Sequence, residues 1–133
     1  MLVDYKIAIS NLMQTLHFIN TVAVIEGTDN NVYLTDNWDI KIDVNKLIST
    51  WSSMKRQPIM ISDVKYLIRI CTSDRLVVSS IEGGGHIVGV KDDERTMIAL
   101  IEPDGIIPFT TAEMNKILAS FSTKKPYLMI IYN

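Results

Sequence analysis

Any metal or nucleophilic chemistry in this sequence has to start from few side chains: His17, His86 and the single cysteine, Cys71. A zinc site draws on three or four ligands at characteristic spacings, and two distant histidines with one cysteine do not supply them. No metal or other cofactor is expected. Nucleophilic catalysis needs Cys71 or a serine beside a histidine that a third group orients, and no signature of that kind is present. Cys71 closes an apolar run and reads as a small core residue. The run Gly83-Gly84-Gly85 lacks the lysine and hydroxyl of a phosphate loop and leads into a strand pattern, so it reads as a tight turn. His86, directly after it, reads first as a solvated residue at a strand start and second as a binding contact. The carboxylates Asp92, Asp93 and Glu94 read as turn formers, not as an acid–base pair. Trp51 falls on a helical apolar stripe and is assigned to the core, whereas Trp38 lies in a loop and is a candidate anchor for a partner.

A chain of 133 residues has the size of one domain, and residues 1–133 are expected to fold around a single core. One cysteine excludes an intramolecular disulfide and points to a reducing compartment, so the expected location is cytoplasmic. The 13 basic against 15 acidic residues give a net charge of -2, without the cation excess that broad nucleic-acid binding requires. Residues 7–25 carry no formal charge and approach the length of a membrane-spanning helix. Asn11, Gln14, Thr15, His17, Asn20 and Thr21 would be costly in hydrocarbon, so the stretch reads as a soluble helix running into a strand. Met1-Leu2-Val3-Asp4 puts no basic region before an apolar run, so no signal peptide is expected.

Tyr5, Ala8, Ile9, Leu12, Met13, Leu16 and Ile19 recur with helical spacing, with Asp4 as candidate cap. Thr21 to Ile25 and Val32 to Thr35 flank the turn residues Thr28 to Asn31 and predict a hairpin. Val44, Leu47, Ile48, Trp51 and Met54 mark a second helix, with Asp43 as its cap and Pro58 beyond its end. Ile59–Ile61, Lys65–Cys71, Arg75–Ile81, His86–Lys91 and Arg95–Glu102 are short extended runs separated by turn residues, an antiparallel meander. Pro103-Asp104-Gly105 ends the sheet, and a last helix begins near Thr110 or Thr111 with Met114, Ile117, Leu118 and Phe121 on its apolar side. The tail, residues 122–133, holds a strand-like apolar stretch from Tyr127 to Tyr132. The order predicts an α+β fold, with a central antiparallel sheet flanked by N-terminal, middle and C-terminal helices.

Three sets of residues carry a resemblance. Val64 to Ile70, Val77 to Ile81 and the glycine turn leading to His86-Ile87-Val88 resemble the central strands of profilins. Thr21 to Ile25, the turn and Val32-Tyr33 resemble the family's first hairpin, and Ile101-Glu102-Pro103 with Pro108 to Asn115 resemble its last strand and final helix. The isoleucine- and serine-rich composition is similar to a divergent archaeal profilin of the Asgard type.

The resemblance implies a non-enzymatic, monomeric protein that binds an actin or actin-like monomer and regulates its polymerisation. Carried over by position, the actin-binding residues are Lys65, Leu67, Arg69, Ser79, His86, Asn115 and Lys116. Ile68 is also in the stretch, but strand alternation sets Lys65, Leu67 and Arg69 on one side and Tyr66, Ile68 and Ile70 on the other. Ser79 stands where the family often has a basic residue. The family's second activity, capture of proline-rich segments in an aromatic cradle, would use Tyr5 and Tyr33, although Leu2 and Val3 replace its N-terminal tryptophan. Phosphoinositide binding, a third family property, would need a basic cluster. Two other readings compete: a roadblock-like dimeric scaffold serving small GTPases, with a similar order of elements, and a ligand-sensing or enzymatic domain built around a polar pocket.

Overall fold

The computed structural model describes residues 5–27, 30–35 and 40–122. Its elements run α1 (Tyr5–Thr15), β1 (Ile19–Glu26), β2 (Asn30–Leu34), α2 (Ile40–Ser53), β3 (Ile59–Ile61), β4 (Val64–Cys71), β5 (Arg75–Ser80), β6 (His86–Lys91), β7 (Arg95–Ile101) and α3 (Ile107–Phe121). Among the described residues the strands form one seven-stranded sheet in the order β2-β1-β7-β6-β5-β4-β3, antiparallel throughout. The α+β fold expected from the sequence is the one observed. The meander from β3 to β7 follows the expected pairing, and β1 adds to it beside β7, a long-range pairing that local pattern does not encode.

Turn chemistry sets the registers. Ser62 and Asp63 both take positive φ, 49° and 64°, and join β3 to β4 as a two-residue loop whose twist matches its strands. Asp92 accepts hydrogen bonds from the Glu94 and Arg95 amides at 2.8 Å each, which is the turn-forming role expected of it. The glycine run is a tight turn as read: Gly85 has φ 119°, and a Cβ there would stand 2.4 Å from the Ile101 carbonyl oxygen.

Several boundaries differ from the sequence reading. Ile19 belongs to β1 and not to the first helix, which ends at Thr15. Asp43 lies inside α2, which begins at Ile40. Met54 sits just past the helix at φ 56° and is half exposed, so it leaves the buried stripe of Val44, Leu47 and Trp51. The last helix begins at Ile107, three residues before Thr110, because Pro108 occupies its first turn, where a missing amide hydrogen costs nothing. Thr110 and Thr111 instead donate their hydroxyls to the Ile106 and Ile107 carbonyls one turn back. Asp4, Leu2, Val3, Trp38 and the tail from 123 onward lie outside the described residues.

Each face of the sheet carries its own apolar cluster. On one face α2 covers β3 to β7: Trp51 stacks on Gly89, where a Cβ would approach the ring to 2.7 Å, and donates its indole hydrogen to the Thr72 carbonyl at 2.6 Å. Cys71 is buried in that cluster, its thiol directed at the Trp51 carbonyl, which bears out its assignment to the core. On the other face Ile9 and Leu12 of α1 and Met114 and Leu118 of α3 pack on Val22, Val24, Val88, Val90, Met97 and Ala99. Helix α1 lies on β1, and α3 lies on β6 and β7; Val77 and Ser79 of β5 are still buried on this face, and the cover gives out at β4.

Candidate interaction surface on the open sheet face

Cross-strand register fixes what the uncovered part of that face displays, because directly paired residues point to the same side. One row reads Leu67, Ser79, His86, Ile101 from β4 to β7. It runs from open to covered: Leu67 is 46% exposed, Ser79 9% and Ile101 not at all. The neighbouring row begins with Met60 opposite Lys65, and the Ile81 amide donates to the Lys65 carbonyl at 3.1 Å. Met60, Leu67 and Ile81 are therefore large apolar side chains left in solvent around Lys65. The sequence reading missed Met60 and Ile81. Their only signal was an apolar residue at an outward strand position, and the unbroken Ile59-Met60-Ile61 run hides which side is outward.

Strand β4 departs from simple alternation. Ile68 faces Val78, but Ile70 faces Val77, so Arg69 is an extra residue on the bulged strand. Ile70 is thereby moved to the Leu67 side and Cys71 to the core side, correcting the alternation that had set Ile70 with Tyr66 and Ile68. Arg69 is exposed at the bulge, and Ile68 packs against the α2 cluster.

On α3, Asn115 follows Thr111 and precedes Leu118 by one turn each, both of them buried. Lys116 pairs with Glu113 at 3.4 Å, and Glu113 with Ile117 lines a cleft against Ala8, Asn11, Leu12 and Thr15 of α1. Helical geometry therefore sets Asn115 on the flank away from α1, toward the open strands, and Lys116 on the outer side.

His86 is not the solvated residue of the first sequence reading. Its Nδ1 lies 2.7 Å from the Ser79 hydroxyl and its Nε2 lies 3.1 Å from the Pro103 carbonyl oxygen. A carbonyl only accepts, so Nε2 carries a hydrogen, and in the tautomer with its hydrogen there Nδ1 is the acceptor for the Ser79 hydroxyl. Serine beside histidine can make a nucleophile, but the third group is a carbonyl dipole where a triad has a full carboxylate charge, and Ser79 is nine-tenths covered. The trio ties three segments of chain together.

At the far end of the covered face stand Tyr5 and Tyr33, both half-buried against the α1–α3 cluster. Tyr33 pairs with Val24. Tyr5 meets Phe121 edge to face at 4.8 Å, and its hydroxyl accepts a hydrogen bond from Arg95 Nε at 2.6 Å. Arg95, a strand start by sequence pattern, is buried there. It also donates to the Phe121 carbonyl at 2.9 Å and pairs with Glu94 at 3.4 Å and Glu26 at 3.5 Å. Burial by itself would lower the guanidinium pKa, but the Tyr5 hydrogen bond and the two carboxylates outweigh it and hold Arg95 above its ordinary value.

Among the described residues no cluster of histidine, cysteine or carboxylates is disposed to hold a metal, and no helix is long and apolar enough to cross a membrane. No family model matches the chain. Odin profilin from Odinarchaeota yellowstonii (strain LCB_4) is 34% identical over 89 residues, which span 65% of this chain and 71% of the relative. The chain belongs to the profilin family. Solved structures agree on the fold. LokiProfilin2 in its complex with rabbit actin matches with a TM-score of 0.73 at 21% identity, over 89% of this chain and 96% of that one. LokiProfilin1, also solved with rabbit actin, matches with a TM-score of 0.73 at 22% identity, over 89% of this chain and 95% of that one. Acanthamoeba castellanii profilin IB matches with a TM-score of 0.68 at 12% identity, over 82% and 88% of the two chains. The resemblance to a divergent archaeal profilin is thus borne out at the level of family and fold.

Proposed function

We propose that residues 1–133 form a single-domain, monomeric, cytoplasmic actin-binding protein that regulates actin polymerisation and carries out no chemical step. The observation that carries this reading is the open end of the sheet at β3 and β4, where Met60, Leu67 and, just past β5, Ile81 are exposed around Lys65. Exposed apolar side chains set beside the cations Lys65 and Arg69 suit a protein partner. Lys65, Leu67 and Arg69 form its centre, Asn115 its α3 side and Lys116 its outer margin, while Ser79 and His86, bonded to each other, support it from beneath. An interface of ordinary size buries roughly 800 Å² on each partner, which such a surface can supply. The fold shared with Loki profilins solved in complex with rabbit actin supports the same partner.

Replacing Lys65 and Arg69 together with glutamate tests the reading. Actin association measured by titration should weaken at least tenfold, while the melting curve stays that of the unmodified protein, since both residues are exposed. Unchanged affinity with a native melt would move the interface elsewhere. Family membership favours this reading over the roadblock-like scaffold, and a monomer mass on gel filtration separates the two.

Proline-rich peptides are a second, weaker candidate ligand, and Tyr5, Tyr33 and Phe121 are the aromatic residues that would receive them. Two features count against tight binding: the Tyr5 hydroxyl is already engaged by Arg95, and one ring edge is taken up by Phe121. Phosphoinositide binding has the least support, because Arg95 is neutralised by Glu26 and Glu94.

A further inference from the structure

His86 stands where the covered part of the sheet face gives way to the open part, between Ser79 on β5 and Ile101 on β7. Its same-face neighbours along β6, Val88 and Val90, are buried valines, so the sheet by itself calls for an apolar residue here. The backbone of β6 is spent on pairing with β5 and β7, and a side chain is what remains to reach out of the sheet. The one at 86 reaches the loop that launches α3.

That loop, residues 102–106, is held at several points. The Glu102 amide donates to the Phe18 carbonyl at 2.8 Å, tying one side to the α1–β1 connection, and the Gly105 amide closes a turn on the Glu102 carbonyl at 2.9 Å. His86 Nε2 holds the Pro103 carbonyl from the opposite, β6 side. The amide and the hydroxyl of Thr110 both donate to the Ile106 carbonyl, so the loop and the first turn of α3 move as one unit. Gly105 is packed closely enough that a Cβ would stand 2.9 Å from the Ile101 side chain, leaving the loop little room to re-form elsewhere.

We propose that His86 is a positioning residue: through Pro103 it fixes the start of α3 relative to β4 and β5, and so sets Asn115 against Leu67 across the interaction surface. Ser79 acts one step further back, since a hydrogen bond donated by its hydroxyl to Nδ1 favours the tautomer whose Nε2 donates to Pro103. The effect on actin rests on the binding role proposed above; the clip itself does not.

Two substitutions separate the ring's two nitrogens. His86→Gln keeps a donor near the Nε2 position and can still hold Pro103, whereas His86→Asn reaches only as far as Nδ1 and leaves Pro103 free. In native-state hydrogen exchange, His86→Asn should speed exchange of the Gly105 and Thr110 amides about tenfold, the factor expected for one lost hydrogen bond, with β1 and β7 amides unchanged and His86→Gln close to the unmodified protein. Actin affinity should follow the same order, about tenfold weaker for Asn and within about threefold for Gln. Equal losses of affinity for the two variants would make the ring a direct contact and overturn the proposal, as would unchanged Gly105 and Thr110 exchange in His86→Asn. If the unmodified chain does not bind actin, the actin reading fails and the exchange rates alone decide the clip.

Discussion

The two ends of one sheet face are built from similar residues and differ in what lies over them. Over β1, β7 and β6 the terminal helices bury Val22, Val24, Val88 and Met97, and Arg95 fastens the far edge by joining Tyr5 of α1 to the last carbonyl of α3. Over β4 and the adjoining strands Leu67, Met60 and Ile81 remain in solvent. The covered end converts apolar area into stability at about 25 cal/mol per Å² buried. The open end leaves that area in water, and on the proposed function a partner supplies the missing cover. His86, between them, is bonded to both sides of the boundary.

Leucine on neighbouring strands gives the sharpest way to break this comparison. Leu76, 1% exposed under α2 on the opposite face, sets the scale for a packed leucine, and Leu67 is 46% exposed. Leu76→Ala should cost about 3 kcal/mol in urea unfolding, the usual cost of a cavity in a packed core. Leu67→Ala should stay within about 0.5 kcal/mol in the same measurement while weakening actin binding severalfold. If Leu67→Ala destabilises as Leu76→Ala does, the open end is not open in solution.

Arg95→Met probes the fastening at the covered end. It leaves Glu26, Glu94 and the Phe121 carbonyl without their shared partner and should cost about 2 kcal/mol by chemical denaturation. Actin affinity should not change, because the site of damage lies at the opposite end of the face. A matched loss of affinity would mean that the two ends are coupled through α3.

The smallest contrast lies on α3 itself. Lys116→Ala breaks an exposed pair with Glu113 and should move stability by no more than about 0.3 kcal/mol. Asn115→Ala, on the flank toward the open strands, should weaken actin binding more than Lys116→Ala does. The reverse order would rotate the contact surface toward α1.

Much of this molecule follows from local sequence. The helical stripe of Val44, Leu47 and Trp51, the strand runs from Ile59 to Ile101 and the turns at Asp92 and Gly83–Gly85 are short-range signals, because helix and strand periods and turn chemistry act over a few residues. Lys65, Leu67 and Arg69 were legible as one outward set for the same reason. Tertiary structure alone decided the rest. Pairing of β1 with β7, the burial of Arg95 between two helices and the hold of His86 on Pro103 each depend on segments distant in the chain arriving together, and the bulge at Arg69 that turns Ile70 outward depends on the register β4 takes against β5. Such contacts form when elements pack, and no window of sequence contains both partners.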